Sequence, residues 1–216
     1  AFLEAVLGPG VRPFDDEDYR LHVDGKPRYD GVESFLKSRG LDLPPGDPDD
    51  PPGHDTVRAL GNRKNERFGQ ILHREGVEPF PTSVAFVRDC RAQGLKTAVV
   101  SSSRNCGPVL EAAGIQDLFD TRVDGIDAAR QGLPGKPAPA IFLEAARRLG
   151  IVPDAAAVLE DALAGVEAGR AGGFRTVVGV DRTGRGEALR SAGAGIVVQD
   201  LGELELTPRK AEGQTR

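Results

Sequence analysis

Apolar positions along the chain fall into two textures. Over residues 1–76 they recur at helical spacing, in AFLEAVL, YDGVESFLKSRG and VRALGNRKNERFGQILHREG, which lays one apolar stripe along each helix. Between the second and third of these lies DLPPGDPDDPPGHD, an acidic, Pro-rich stretch that predicts a solvated loop without chemistry. After EPFPTS the pattern changes to short β-branched runs, TAVVSS, TRVDG, AAVLED, RTVVGV and GIVVQ, alternating with the amphipathic stretches SVAFVRDCRAQG, CGPVLEAAG, APAIFLEAARRLG, LAGVEAGRAGG and RGEALRSAG. Several of these stretches close on Gly just past the last periodic residue, a helix stop. Strands alternating with crossover helices predict a parallel sheet. The expected fold is therefore α/β: a small helical domain over residues 1–76 and a parallel-sheet core over residues 77–216.

Composition narrows the picture. A chain of 216 residues that is 39 % hydrophobic and 28 % charged has the content of one α/β domain with a small companion, and excludes disorder. No window approaches the roughly eighteen consecutive apolar residues of a membrane span, and AFLEAVLGPG has neither the basic lead nor the cleavage site of an export signal. A cytoplasmic monomer with no membrane partner is the expectation. Cys90 and Cys106 are too few for a disulfide framework and are expected reduced and packed. A net charge of −5 gives no basic field and argues against nucleic acid as a partner. His22, His54 and His73 lack metal-ligand spacing and read as surface or packing residues.

Three predicted strand ends carry chemistry. In an open parallel sheet the carboxyl ends of the strands line the ligand crevice. After TAVV come Ser101, Ser102, Ser103, Arg104 and Asn105, whose hydroxyls and N–H groups suit a phosphate oxygen but equally suit a helix N-cap. Lys136 stands between Gly135 and a Pro that opens the next helix, where a rigid turn would fix its ammonium. Glu160 and Asp161 follow an apolar strand and precede a Gly-spotted helix. Such a pair suits Mg²⁺, which takes one or two protein carboxylates and keeps several waters, and it suits compensation of a helix dipole as well.

In this order, the segments VVSSSRN, GKPAPAIF and LEDALAGVEAGRAGG resemble the second, third and fourth motifs of the haloacid dehalogenase superfamily, and most closely its β-phosphoglucomutase-like branch. LHVDGKPRYDGVESFL and RKNERF resemble that branch's helical cap domain. The resemblance implies a Rossmann-like core under a cap, Mg²⁺ as cofactor and a small sugar phosphate as substrate. It further implies that Ser101 holds the transferring phosphoryl oxygens, that Lys136 neutralises their charge and the nucleophile's, and that Glu160 and Asp161 are metal carboxylates. Ser102, Ser103, Arg104 and Asn105 would serve phosphate binding. On the cap, Arg28 would grip a distal phosphate, with Gly25 and Lys26 in the closing loop and Lys64 toward the sugar. Asp24 departs from the pattern, since relatives often have Lys there.

The first motif, an apolar strand ending in Asp-x-Asp-Gly that supplies the nucleophile, is absent from the sequence. Its nearest match, RLHVDG, puts His22 at the nucleophile position with no apolar strand before it, and FDDEDYR lacks a strand too. That strand belongs at the centre of the family's sheet, so two interior edges would lack partners, at a cost of about 1–3 kcal/mol for each buried unpaired group. With no Met at any position, the expectation is that about twenty to thirty residues, one strand and the start of a helix, lie upstream. Three functions remain open from sequence: a β-phosphoglucomutase-type phosphoryl transfer, a sugar-phosphate phosphatase of the same fold, and a non-catalytic domain of a larger carbohydrate-processing protein.

Overall fold

The computed structural model describes residues 10–207, so the expected AFLEAVL helix lies outside the described residues. The first element is one the sequence pattern did not announce. Asp15 accepts from the Asp18 N–H at 2.9 Å and Asp18 accepts from the Asp15 N–H at 3.2 Å. This reciprocal cap starts α1, Asp16–Asp18, which widens into a π-helical turn over Tyr19–Val23. Most of the acidic FDDEDYR stretch is thus helical, with Asp18, only 2 % exposed, neutralised by Arg12 and by Arg39 just past the following helix.

Helices α2 (Arg28–Ser38) and α3 (Val57–Glu75) match the predicted pair. Thr56 caps α3 by accepting from the Ala59 N–H at 2.9 Å, and Gly76 ends it at φ +70°. Val32, Leu36 and Val57 form the centre of their contact, with Tyr29, Leu41, Leu43 and Leu60 around it. The helices approach closely because Gly61 faces the Tyr29 ring, where a Cβ would lie 2.8 Å from ring carbon. Tyr29 then donates its hydroxyl to Asn62 at 2.9 Å.

Helix α4 (Pro81–Ala92) leads into β1 (Ala98–Val100), α5 (Cys106–Ala112), β2 (Thr121–Val123), α6 (Gly125–Gln131) and α7 (Ala140–Leu149). Then follow β3 (Ala157–Glu160), α8 (Leu163–Ala171), β4 (Thr176–Val180), α9 (Gly186–Ala192) and β5 (Ile196–Val198). All five predicted strands are present and every pairing is parallel. They form two sheets, β1–β2 and β3–β4–β5. Leu159 of β3 is left 37 % exposed beside the buried Val158. Side chains join the sheets: Val123 of β2, Ile141, Phe142 and Ala145 of α7, Val158 of β3 and Ala168 of α8 make one buried cluster. No helix among the described residues is long and apolar enough to cross a membrane, and both cysteines are free. Burial, helped by Asp124, pushes the Cys106 thiol up to about 11.

Helix α6, unforeseen in the sequence, is fixed by local polar geometry. Asp124 accepts from the Ile126 and Asp127 N–H groups at 2.9 and 3.2 Å, and Gly132 ends the helix at φ +64°. It is then tied to α7 by Arg148, which reaches both Asp127 and Glu144. Arg147 and Arg148 together pull the Glu144 carboxyl from its ordinary 4.5 down to about 2. A depressed carboxyl contributes stability above its unfolded pKa and loses it as pH falls through the folded value. Glu144→Gln should therefore lower the unfolding free energy by about 1 kcal/mol at neutral pH, a figure reduced for the exposed Arg147. The gap between variant and parent in urea denaturation should close between pH 4.5 and 2; a gap that persists at pH 2 would contradict the assignment.

Candidate active site

The site grows from the end of β3. Glu160 is the last residue of that strand, and its Oε2 accepts from the N–H groups of Asp161 and Ala162 at 2.8 and 3.0 Å. Its other oxygen pairs with the Lys136 ammonium, and the two side chains are only 9 % and 6 % exposed. Gly165 makes this possible, since a Cβ there would collide with the Glu160 carboxyl. Lys136 also lies 4.9 Å from the centroid of Phe142 in the core, so its ammonium is held on one side by a carboxylate and on another by an aromatic face.

The second loop leaves β1. The Ser101 N–H donates to the Val123 carbonyl at 3.0 Å, continuing the ladder one residue past the strand. The Ser101 hydroxyl then accepts from the Ser103 N–H, and the Ser103 hydroxyl from the Asn105 N–H, each at 3.1 Å. These bonds curl the 101–105 loop back over β2, where Gly125 gives it room: a Cβ there would sit 2.5 Å from the Ser102 carbonyl oxygen.

The 24–28 loop of the helical region touches all three core loops. Ser102 donates its hydroxyl to the Gly25 carbonyl at 3.0 Å. Gly25, at φ +70°, lies against Ala162, 3.3 Å from where its Cβ would be, and Pro27 lies 3.1 Å from a Cβ placed on Gly135. At the far end of the loop, Arg28 donates to the Asn65 side-chain carbonyl at 2.6 Å, and the Asn105 amide donates to the same oxygen at 2.7 Å. Lys64, beside Asn65, is crowded and near Arg28, which together hold its ammonium below the ordinary value.

The sequence-derived residues are therefore brought together unevenly. Gly25 and Ser102 are bonded, Arg28 and Asn105 share one acceptor, and Lys136 is bonded to Glu160. Lys26 turns away and donates to Ser34 on α2 at 2.8 Å, while Ser103 and Arg104 are exposed. Asn65 was not foreseen; its signal was its place directly after Lys64 in RKNERF. Asp24 also acquires a place. It borders a cleft of about 280 Å³ whose walls include Tyr19, Asp161, Asp181, Arg182 and Arg185.

Charge in that cleft is divided. Burial, then Glu160 and Asp24, push the Asp161 carboxyl up. Burial and Glu160 do the same to Asp24, partly offset by Arg185 and Lys136, and the Tyr19 phenol is raised by burial and both aspartates. No group of three His, Cys, Asp or Glu side chains forms a cation cage among the described residues. Of the two carboxylates read as metal ligands, Glu160 is engaged by Lys136, whereas Asp161 opens to the cleft with no ion-pair partner among the described residues. An oxygen donor crowded by like charge fits a hard divalent cation.

The core is a parallel α/β fold whose strand ends and loops carry Ser101, Lys136 and Glu160, with the 24–28 loop packed against them. The sequence profile of the haloacid dehalogenase-like hydrolases matches residues 4–173, and the chain belongs to this family. It is 50 % identical over 196 residues to the β-phosphoglucomutases of Mycobacterium bovis and Mycobacterium tuberculosis, covering 89 % of this chain and 75 % of theirs. It is 42 % identical over 189 residues to an uncharacterized glycosyl hydrolase of Mycobacterium tuberculosis, 88 % of this chain but 14 % of that protein. The crystal structure of Clostridium difficile β-phosphoglucomutase matches the fold with a TM-score of 0.74 at 23 % identity, over 94 % of this chain and 82 % of that one.

Breaking a buried ion pair strands a charge, whereas replacing both partners with apolar residues removes that penalty. Glu160→Gln and Lys136→Met should each destabilise the fold by about 3 kcal/mol, and the double variant Lys136→Met/Glu160→Leu should recover most of the loss. Denaturant titration of the three variants reads this directly; additive losses in the double variant would show that the pair is not closed in solution.

Proposed function

We propose that the chain carries the binding and charge-stabilising parts of a Mg²⁺-dependent phosphoryl transfer on a sugar phosphate, of the β-phosphoglucomutase type, interconverting β-glucose 1-phosphate and glucose 6-phosphate. The observation that carries this reading is the convergence of Arg28 and Asn105 on one oxygen, at the opposite end of the 24–28 loop from Asp24 and Asp161. A mutase needs two phosphate sites because its bisphosphate intermediate carries two phosphates, and a phosphatase needs one. The 50 % identity to mycobacterial β-phosphoglucomutases points the same way.

In this reading Ser101 and Lys136 hold the transferring phosphoryl group. Lys136 is suited to the work because its ammonium is already fixed and partly desolvated, so it needs no reorganisation as charge shifts in the transition state. Arg28 and Asn105 hold the other phosphate, the guanidinium presenting a fork that matches phosphate oxygens. Asp161 would hold Mg²⁺, which when bound supplies neutralisation of the phosphoryl oxygens. Glu160 keeps Lys136 in place. Gly25 and Ser102 close the loop that keeps water from the reacting phosphoryl group. The phosphoryl-accepting Asp is assigned to an added strand between β1 and β3, since no Asp-x-Asp follows an apolar run in the 216 residues.

The reading is tested on β-glucose 1-phosphate with Mg²⁺, comparing the 216-residue chain with one extended by an N-terminal strand ending in Asp-x-Asp. The shorter chain should not turn over, and the longer one should make glucose 6-phosphate. In the longer chain Lys136→Ala or Asp161→Ala should lower kcat by about 10²–10³-fold. Free phosphate as the main product would replace the mutase with the phosphatase, and full activity of the shorter chain would overturn the assignment of the nucleophile.

A further inference from the structure

Asn65 presents one neutral carbonyl oxygen to two donors that come from distant parts of the chain. Arg28 opens α2 and donates at 2.6 Å; Asn105 precedes α5 and donates at 2.7 Å. Both bonds are at the short end of the range for nitrogen donors. Asn105 stands at the N-cap of α5 yet makes no side-chain bond to that helix, so its amide is directed wholly at α3. Guanidinium and amide converging on one oxygen are the donors a phosphate oxygen would take. The acceptor here is uncharged, so among the described residues the local charge of Arg28 and the neighbouring Lys64 has no anionic partner, in keeping with the lowered Lys64 value.

We propose that Asn65 is a positioning residue whose side-chain oxygen takes the place of a phosphate oxygen between Arg28 and Asn105, latching the helical region onto the 101–105 loop until a substrate phosphate displaces it and takes both donors. This rests on the two-phosphate reading above and adds a competition to it. A neutral carbonyl binds a guanidinium strongly enough to hold the loop but yields to a dianion, whereas a carboxylate in the same place would form a lasting ion pair. The latch also explains how the distal site stays ordered. Arg28 is a long, flexible side chain, and Asn65 holds it beside the 101–105 loop.

Competition has a signature that simple structural support lacks. If the latch occupies the donors most of the time, apparent phosphate affinity is reduced by the open fraction, and removing the latch raises it. Inorganic phosphate is titrated calorimetrically into the 216-residue chain and its variants, and amide hydrogen exchange is followed in the 101–105 loop. Asn65→Ala should bind phosphate about tenfold more tightly than the parent, equivalent to about 1.4 kcal/mol. Its loop should exchange faster without phosphate and return to the parent rate with it. Asn65→Asp should bind at least tenfold more weakly, and Arg28→Ala should remove the distal binding event in every background, leaving only binding at Ser101 and Lys136.

Equal or weaker binding by a folded Asn65→Ala, with Arg28 still required, would overturn the latch and leave the two-phosphate reading standing. If Asn65→Ala does not fold, unchanged or tighter binding by Asn65→Asp overturns the latch in its place. Phosphate binding indifferent to Arg28→Ala, or absent throughout, would remove the distal phosphate site itself and the latch with it.

Discussion

The buried pair of Lys136 and Glu160 is the constraint on which the rest of the site depends. Burying two charges costs several kcal/mol per ion unless geometry and further hydrogen bonds compensate. Here the compensation is specific: one Glu160 oxygen meets the ammonium, the other meets two backbone N–H groups, and Gly165 leaves the space in which the carboxylate turns. The pair therefore joins the loop before α7 to the loop after β3. Those are the surfaces on which the 24–28 loop rests, Pro27 against Gly135 and Gly25 against Ala162. Had Lys136 been free to swing, neither contact would be set.

From that anchor the 24–28 loop runs between two chemically distinct places. Asp161 and Asp24 crowd one end with carboxylates whose protonated forms are favoured by burial and mutual repulsion. Arg28, Lys64 and the Asn105 amide occupy the other, with Asn65 as their shared or neighbouring neutral acceptor. A substrate with a reacting phosphate at one end, beside a metal, and an inert phosphate at the other would be complementary to both. Because the 24–28 loop spans the two, its closure would, on the proposed function, orient the reacting phosphate and shield it in one movement.

The core elements were legible because each strand is a short β-branched run set between Gly-closed helices, and because parallel strands end at one edge. That rule alone put Ser101 and Asp161 on the loops that leave strand ends. What was not legible came from contacts distant in sequence or from very local polar geometry. Helix α1 hides in an acidic run and needs Arg39, twenty-one positions from Asp18, to be neutral. Helix α6 is only Gly125–Gln131, too short for periodicity, and depends on the Asp124 cap. The sequence could not tell which of Glu160 and Asp161 would meet Lys136, nor that Lys26 would be drawn to Ser34. Asn65 became visible only once α3 had packed against both Arg28 and the 101–105 loop. The parallel sheet, expected to lack partners at two interior edges, appears as two sheets, joined by α7 and its apolar cluster rather than by backbone hydrogen bonds.

On the proposed function the chain binds two phosphates at once, one at each end of the 24–28 loop. A crystal structure of the chain with glucose 1,6-bisphosphate tests it most directly. One phosphate should lie between Arg28 and Asn105 and the other within reach of Ser101 and Lys136; a bisphosphate bound with either of these places empty, or elsewhere on the chain, would contradict it.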